Sequence, residues 1–332
     1  MNRIAILGAG GWGTALSIIL ARNCEEVRLW VYEPDLCARM QNSRVNDLYL
    51  PGSFLPPAVS PTNDVCEALS GADVVITAVP SEYLRGILRQ IAPLAQPELV
   101  FVSATKGLES RTHLRMTEVM METLLPRFSP QLAVLSGPTF AREVAHGAPA
   151  AVVIASEDED LARRLQLRFA NSSFRFYTNT DVIGVEMGGA LKNVIAIAAG
   201  VSEGLGLGSN ALAAIVTRGL AEITRLACAC GARRETLAGL SGLGDLVLTC
   251  TGALSRNHRV GVDLGRGRKL EEILQSMHMV AEGINTTAAA RDLARQKGIE
   301  MAITEQMYAV LFEGLSPRDA VRGLMERELK AE

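Results

Sequence analysis

The run Ile4-Ala5-Ile6-Leu7, followed at once by Gly8-Ala9-Gly10-Gly11-Trp12-Gly13, constrains the fold of this chain more than any other stretch. Four apolar residues ending in a glycine cluster read as a short buried strand. Thr14 to Arg22 then continues as an apolar helical run without proline. Gly8, Gly10 and Gly13 therefore satisfy G-x-G-x-x-G with a strand before and a helix after, the setting in which that pattern carries a mechanism. The first glycine permits a tight turn, the second lets a pyrophosphate approach the backbone, and the third lets helix and strand pack closely. The helix N-terminus then faces the phosphates. A glycine-rich turn without a ligand is the alternative reading.

A second strand, Val27 to Tyr32, ends at Glu33. A carboxylate there accepts hydrogen bonds from the adenosine ribose and favours NAD. Arg44 lies nearby in sequence and offers a partner for a 2′-phosphate, so the cofactor is NAD or NADP, with the choice open; solvated loop charges are the alternative reading of both residues. Tyr49 to Pro61 carries four prolines and reads as an ordered loop. Further strands are expected at Ala72–Pro80, Leu99–Ala104, Leu132–Leu135, Ala150–Ala155 and Ser173–Tyr177. Ser81 is expected to cap a helix through Ile91, and Ser156 with Glu159 to form a capping box for a helix ending near Ala170. Alternating apolar strands and helices predict a parallel sheet covered on both faces, with ligands beyond the carboxyl ends of its strands. Two such ends matter for a ligand: Thr105-Lys106-Gly107, where Lys106 either faces a ligand or is a surface loop charge, and Ser136 to Glu143.

After residue 180 the strand pattern stops. Thr180 or Asp181 is suited to cap a helix that runs through Gly188-Gly189-Ala190-Leu191-Lys192-Asn193 to Gly200. It is apolar on nearly every side, which predicts burial. Burial lowers the proton affinity of an ammonium, so Lys192 fits a group that gives up and recovers a proton. The alternative is a lysine that snorkels to water. Further helices are expected at Ser209–Cys230, Arg233–Leu240, Glu271–Ser276, Thr286–Gln296 and Ser316–Glu328. The predicted fold is α/β: a Rossmann-like, doubly wound sheet in residues 1–180, then an all-helical domain in residues 181–332.

Composition narrows the function classes. A net charge of −3 over 332 residues gives no reason to expect nucleic acid. Six cysteines form no CxxC pair and no zinc spacing, so no metal site is expected. No stretch reads as a membrane span, and Met-Asn-Arg runs directly into a strand, which predicts a cytoplasmic protein. Within the helical half, Gly242 to Leu246 and Ser255 to Arg259 are polar interruptions. The succession Ser255-Arg256-Asn257 can grip a phosphate through charge-assisted bonds, or can be a solvated turn.

Together these stretches resemble the bacterial-type NAD(P)-dependent glycerol-3-phosphate dehydrogenases. The resemblance runs through Gly8 to Leu16, Tyr49-Leu50-Pro51-Gly52, Ala104 to Gly107, Ser136 to Ala141, Gly189 to Asn193 and Gly239 to Gly261. It implies Lys192 as proton donor and acceptor. It implies a phosphorylated substrate held by Lys106, Gly137, Thr139, Asp245, Ser255, Arg256 and Asn257, and cofactor contacts at Gly11, Trp12, Lys106, Ala141, Arg256, Val280 and Glu282. Many members carry arginine or histidine just after the second strand, where this chain has Tyr32 and then Glu33. The implied reaction is reduction of dihydroxyacetone phosphate, with Lys192 protonating the C2 oxygen, Lys106 polarising it, and Asp245 orienting Lys192 or a substrate hydroxyl. The expected partners are that small molecule and at most a second copy of the chain. A related dehydrogenase for another hydroxy acid, and a non-catalytic dinucleotide sensor, are the competing readings.

Overall fold

Eight strands form one sheet in the order β3-β2-β1-β4-β5-β6-β7-β8. They are β1 Arg3–Leu7, β2 Glu26–Trp30, β3 Val59–Thr62, β4 Val74–Thr77, β5 Val100–Ser103, β6 Gln131–Ser136, β7 Ala150–Ala155 and β8 Phe174–Asn179. All neighbours run parallel except β6 and β7. The computed structural model describes residues 2–277 and 281–328. In β1, Ile4 and Ile6 enter one buried cluster while Ala5 and Leu7 enter another across the sheet. Side chains alternate between the faces of a strand, so an uninterrupted apolar run serves a sheet covered on both sides. Strand order reverses between β1 and β4, where a crevice opens beyond the strand ends. Gly8 leaves β1 at that point, and Pro80 and Ser81 follow β4.

Several expectations need correction. The loop Tyr49–Pro61 runs into β3, an edge strand that tolerates Pro61 because an edge leaves backbone groups unpaired. Ser156 does not form a capping box: its Oγ donates to Leu132 O, and Asp158 caps the helix Glu159–Phe169 by accepting from Leu161 N. Ser81 opens a short 3₁₀ turn before the helix Leu84–Ile91 and caps nothing; its hydroxyl donates instead to Glu282. The expected helix from Thr286 begins at Glu282, and Arg233–Leu240 is one short turn, Arg234–Leu237, followed by a π turn over Leu240–Gly244.

After Asn179 every regular element among the described residues is helical. Asp181 accepts from Gly184 N and caps the central helix, Val182–Gly204. This helix is long and apolar enough to cross a membrane, but 94% of its apolar window is buried inside the protein. The helix Arg256–Gly265 lies against it backbone to backbone. A Cβ on Gly200 would fall 2.0 Å from His258 O, and one on Gly261 would fall 2.0 Å from Ile197 O. Glycines on both helices therefore close the seam, and the seam fixes where the N-terminus of Arg256–Gly265 meets the middle of the central helix.

Candidate active site

Lys192 sits at mid-length of the central helix with 5% of its surface exposed. Its Nζ donates to Asp245 Oδ1 at 2.5 Å and to Thr249 Oγ1 at 2.8 Å. The other oxygen of Asp245 accepts from Lys106 Nζ at 2.7 Å, and Lys106 also donates to Gly137 O at 3.1 Å. Thr139 Oγ1 donates to the same carbonyl at 3.2 Å. Lys106 follows β5, Lys192 lies on the central helix and Asp245 opens the helix Asp245–Thr251, so three separate elements meet at one carboxylate that is fully buried, while Gly137, after β6, holds Lys106.

Two cations share one anion here, leaving an excess of positive charge suited to an anionic ligand. Lys192 is pulled down to about 8, mainly by burial, with Lys106 adding in the same direction and Asp245 opposing both. Cys250, beside the pair, is pushed up to about 12 by burial and contributes a neutral thiol.

The N-terminus of Arg256–Gly265 abuts this cluster. Ser255 is its N-cap and accepts from His258 N at 3.2 Å, so the residues read as a polar turn open a helix. Asn257 Oδ1 accepts from Gly283 N at 3.0 Å, and a Cβ on Gly283 would touch both Asn257 Oδ1 and Asn193 O. Arg256 is exposed, within electrostatic reach of Glu282; desolvation by the protein around it draws its guanidinium below the ordinary range, and the charge of Glu282 opposes this. Glu282 accepts from Ser81 N at 3.1 Å and Ser81 Oγ at 2.7 Å, tying the helical half to the end of β4. Burial raises the Glu282 carboxyl. Val280 lies outside the described residues.

The glycine turn stands at the switch point. Gly8 has φ +111°, and a Cβ on Gly13 would fall 1.8 Å from Gly8 O, so both positions admit only glycine. Around Gly10 nothing lies within 4 Å of a Cβ position, which leaves space above the N-terminus of the helix Gly11–Leu20. Trp12 Nε1 is buried with no hydrogen-bond partner, and Ala141 lies 3.8 Å from a Cβ on Gly11. An open cradle at a helix N-terminus with an orphaned donor beside it fits a pyrophosphate-bearing cofactor. Tyr32 is 73% exposed, and Glu33 accepts from Tyr49 Oη at 2.7 Å. Arg44 is committed elsewhere: Nη2 donates to Pro56 O at 2.5 Å and Val59 O at 2.7 Å. The expectation that it faces a 2′-phosphate is therefore withdrawn.

Sequence reasoning missed Thr249 and Asn46, and gave Tyr49 and Ser81 no role at the site. Thr249 had a usable signal, since it stands four residues after Asp245 on one helical face. The others are joined by contacts that local patterns do not encode.

A sheet parallel except at β6–β7, with a glycine turn at its switch point, met by a lysine–aspartate pair from a helical half, defines a dinucleotide-dependent oxidoreductase. Residues 3–162 match the family described as NAD-dependent glycerol-3-phosphate dehydrogenase N-terminus, and residues 181–322 match its C-terminus. Glycerol-3-phosphate dehydrogenase (NAD(P)+) of Koribacter versatilis is 58% identical over 329 residues, covering 98% of each chain. That of Geobacter sulfurreducens is 54% identical, covering 100% of this chain and 99% of its own. The crystal structure of glycerol-3-phosphate dehydrogenase from Coxiella burnetii superposes with a TM-score of 0.93 at 43% identity, covering 98% of this chain and 99% of that one. The chain belongs to the NAD-dependent glycerol-3-phosphate dehydrogenase family.

Proposed function

We propose that this protein catalyses the reversible NAD(P)H-dependent reduction of dihydroxyacetone phosphate to sn-glycerol 3-phosphate, supplying glycerophospholipid synthesis. The observation that carries this reading is the buried Asp245 carboxylate shared by Lys192 and Lys106 at the sheet's ligand edge. Gly8, Gly10, Gly11, Trp12, Gly13 and Ala141 would hold the cofactor's pyrophosphate half, and Tyr32 and Glu33 its adenosine. Lys106, Arg256 and Glu282 would lie toward the reacting half. When bound, the cofactor supplies or accepts a hydride.

Lys192 protonates the C2 oxygen during reduction and recovers the proton during oxidation. A pKa of about 8 places both forms within reach of working pH. Asp245 and Thr249 fix the direction of its Nζ. Lys106 adds positive charge toward the C2 oxygen. Ser255, Arg256 and Asn257 present a helix N-terminus and a guanidinium to the substrate phosphate, so binding energy remote from C2 holds C2 in place. Gly137 and Thr139 border the same space. A non-catalytic sensor would leave the lysine–aspartate–lysine cluster without a use.

We assign residues 1–180 to cofactor binding and residues 181–332 to substrate binding. A cytoplasmic setting suits six free cysteines. Exposed Leu207, Ala213 and Ala214 beside and within the helix Gly208–Ala229 offer a second copy an apolar surface, so we include a homodimer, tested by molar mass from light scattering.

The test of function is NADH and NADPH oxidation with dihydroxyacetone phosphate and with unphosphorylated dihydroxyacetone. Turnover with the phosphorylated ketone and little without the phosphate is expected; equal use of the two would refute the assignment.

A further inference from the structure

A carboxylate discriminates between a ribose hydroxyl and a phosphate only if it is held where the two differ. Glu33 is the N-cap residue of the helix Pro34–Ser43, yet its side chain caps no backbone N–H. Its Oε1 accepts from the Tyr49 hydroxyl at 2.7 Å. Tyr49 is itself fixed, because its N–H donates to Asn46 Oδ1 at 2.9 Å. Asn46 is fully buried, and its Nδ2 donates to Ala9 O at 2.7 Å and to Thr14 Oγ1 at 2.8 Å, both in the glycine turn and its helix. Tyr49 O also lies 3.0 Å from a Cβ position on Gly11. A continuous set of hydrogen bonds thus runs from the turn through Asn46 and Tyr49 to Glu33. Burial first, then the bond to Glu33 and its charge, push the Tyr49 phenol up to about 12, so it stays a donor at neutral pH.

We propose that Tyr49 is a positioning residue for cofactor choice, clamping the Glu33 carboxylate to the loop that cradles the pyrophosphate. Oε2 is then left to accept from a 2′-hydroxyl and to repel a 2′-phosphate. Tyr49 touches neither the hydride nor the substrate; it acts through Glu33. A freed Glu33 side chain swings toward water, losing the bond to NADH and part of the repulsion of NADPH. Selectivity arises from both effects, attraction to one ligand and rejection of the other. The inference rests on the reading that the adenosine binds at this edge.

The experiment measures dissociation constants for NADH and NADPH on the full-length protein and on Tyr49→Phe, Glu33→Asp and Glu33→Gln, with thermal unfolding of each. Tyr49→Phe is expected to weaken NADH about three- to tenfold, as for loss of one charge-assisted positioning bond. NADPH should change by roughly twofold or less, so the selectivity ratio falls. Glu33→Asp keeps the charge but shortens the reach to the phenol and should move the ratio the same way. On a Glu33→Gln background, adding Tyr49→Phe should produce no further change in the ratio. Equal weakening of both cofactors by Tyr49→Phe would make Tyr49 merely structural and overturn the clamp. So would an unchanged ratio in Tyr49→Phe while Glu33→Gln shifts it, and in that case the placement of the adenosine survives. If Glu33→Gln leaves the ratio unmoved, that placement falls and the clamp falls with it. Should Tyr49→Phe fail to fold, Glu33→Asp decides: a ratio equal to that of the unmodified protein overturns the proposal.

Discussion

Lys192 and Glu33 are both charged groups fixed by hydrogen bonds from distant parts of the chain, but their surroundings differ in dryness. Lys192 is buried among Asp245, Thr249 and Lys106, and its proton affinity falls to about 8. Glu33 is half-exposed beside Tyr32, which is 73% exposed. Burial makes each neighbour of Lys192 strong, because desolvation and nearby charge act with little screening. At the Glu33 end water weakens every pair, so discrimination accumulates from small contributions. The substrate end should therefore be brittle to substitution and the adenosine end tunable.

The largest expected effect is at the dry end. Lys192→Met fills the same volume without a transferable proton and leaves Asp245 paired with Lys106. Turnover should fall by about 10²–10⁴-fold, as for loss of a general acid. Thermal unfolding should change little. A variant with near-normal kcat would remove Lys192 from the chemistry.

Asp245→Asn breaks the cluster differently, leaving two lysines without their anion. Removing one partner of a buried pair costs about 3–5 kcal/mol, measurable by denaturant unfolding. The same variant tests the pH dependence. Under the proposed mechanism, kcat/KM for reduction in the unmodified enzyme requires protonated Lys192, so it should be full below about pH 8 and fall as pH rises through that value. Oxidation needs the neutral amine and should rise through the same range. Asp245 holds the Lys192 pKa up, so in Asp245→Asn both inflections should move to lower pH. An inflection that stays in place would show that another group titrates.

Arg256→Ala is expected to cost about 1.5–3 kcal/mol in kcat/KM for the phosphorylated substrate, the range for a hydrogen bond to a charged group. Folding should change far less. An unchanged specificity constant would return Arg256 to a purely structural role.

The smallest effect belongs to the wet end. Both cofactors should turn over, with NADH preferred, because Glu33 is held in place and Arg44 is spent on loop carbonyls. Tyr32→Arg should shift preference toward NADPH by about 0.2–1 kcal/mol, the size of an exposed ion pair. Kinetics with both cofactors on both proteins measure the shift, and strong NADPH selectivity in the unmodified enzyme would contradict this account.

Much of this was legible in the residues alone, where the deciding interactions are local. The glycine turn, the strand runs, the Asp181 cap and the buried central helix follow from φ freedom, periodicity of 2 or 3.6, and capping chemistry within a few residues. Errors fell where a long-range partner outbid a local one. Ser81 reads as a helix cap, but its hydroxyl goes to Glu282, 201 residues away. Arg44 reads as a free charge near the ribose, but it sits in a left-handed conformation at a helix end and turns to three loop carbonyls. Sequence set which groups could do the chemistry: a lysine on an apolar helix, a carboxylate after the second strand, a guanidinium at a helix start. Tertiary packing decided what those groups became. The Gly200–Gly261 seam sets the Arg256 helix beside Lys192, and Asp245, 53 residues beyond Lys192, brings the counter-charge. A proton affinity depends on burial and neighbouring charge, and no stretch of chain carries either by itself.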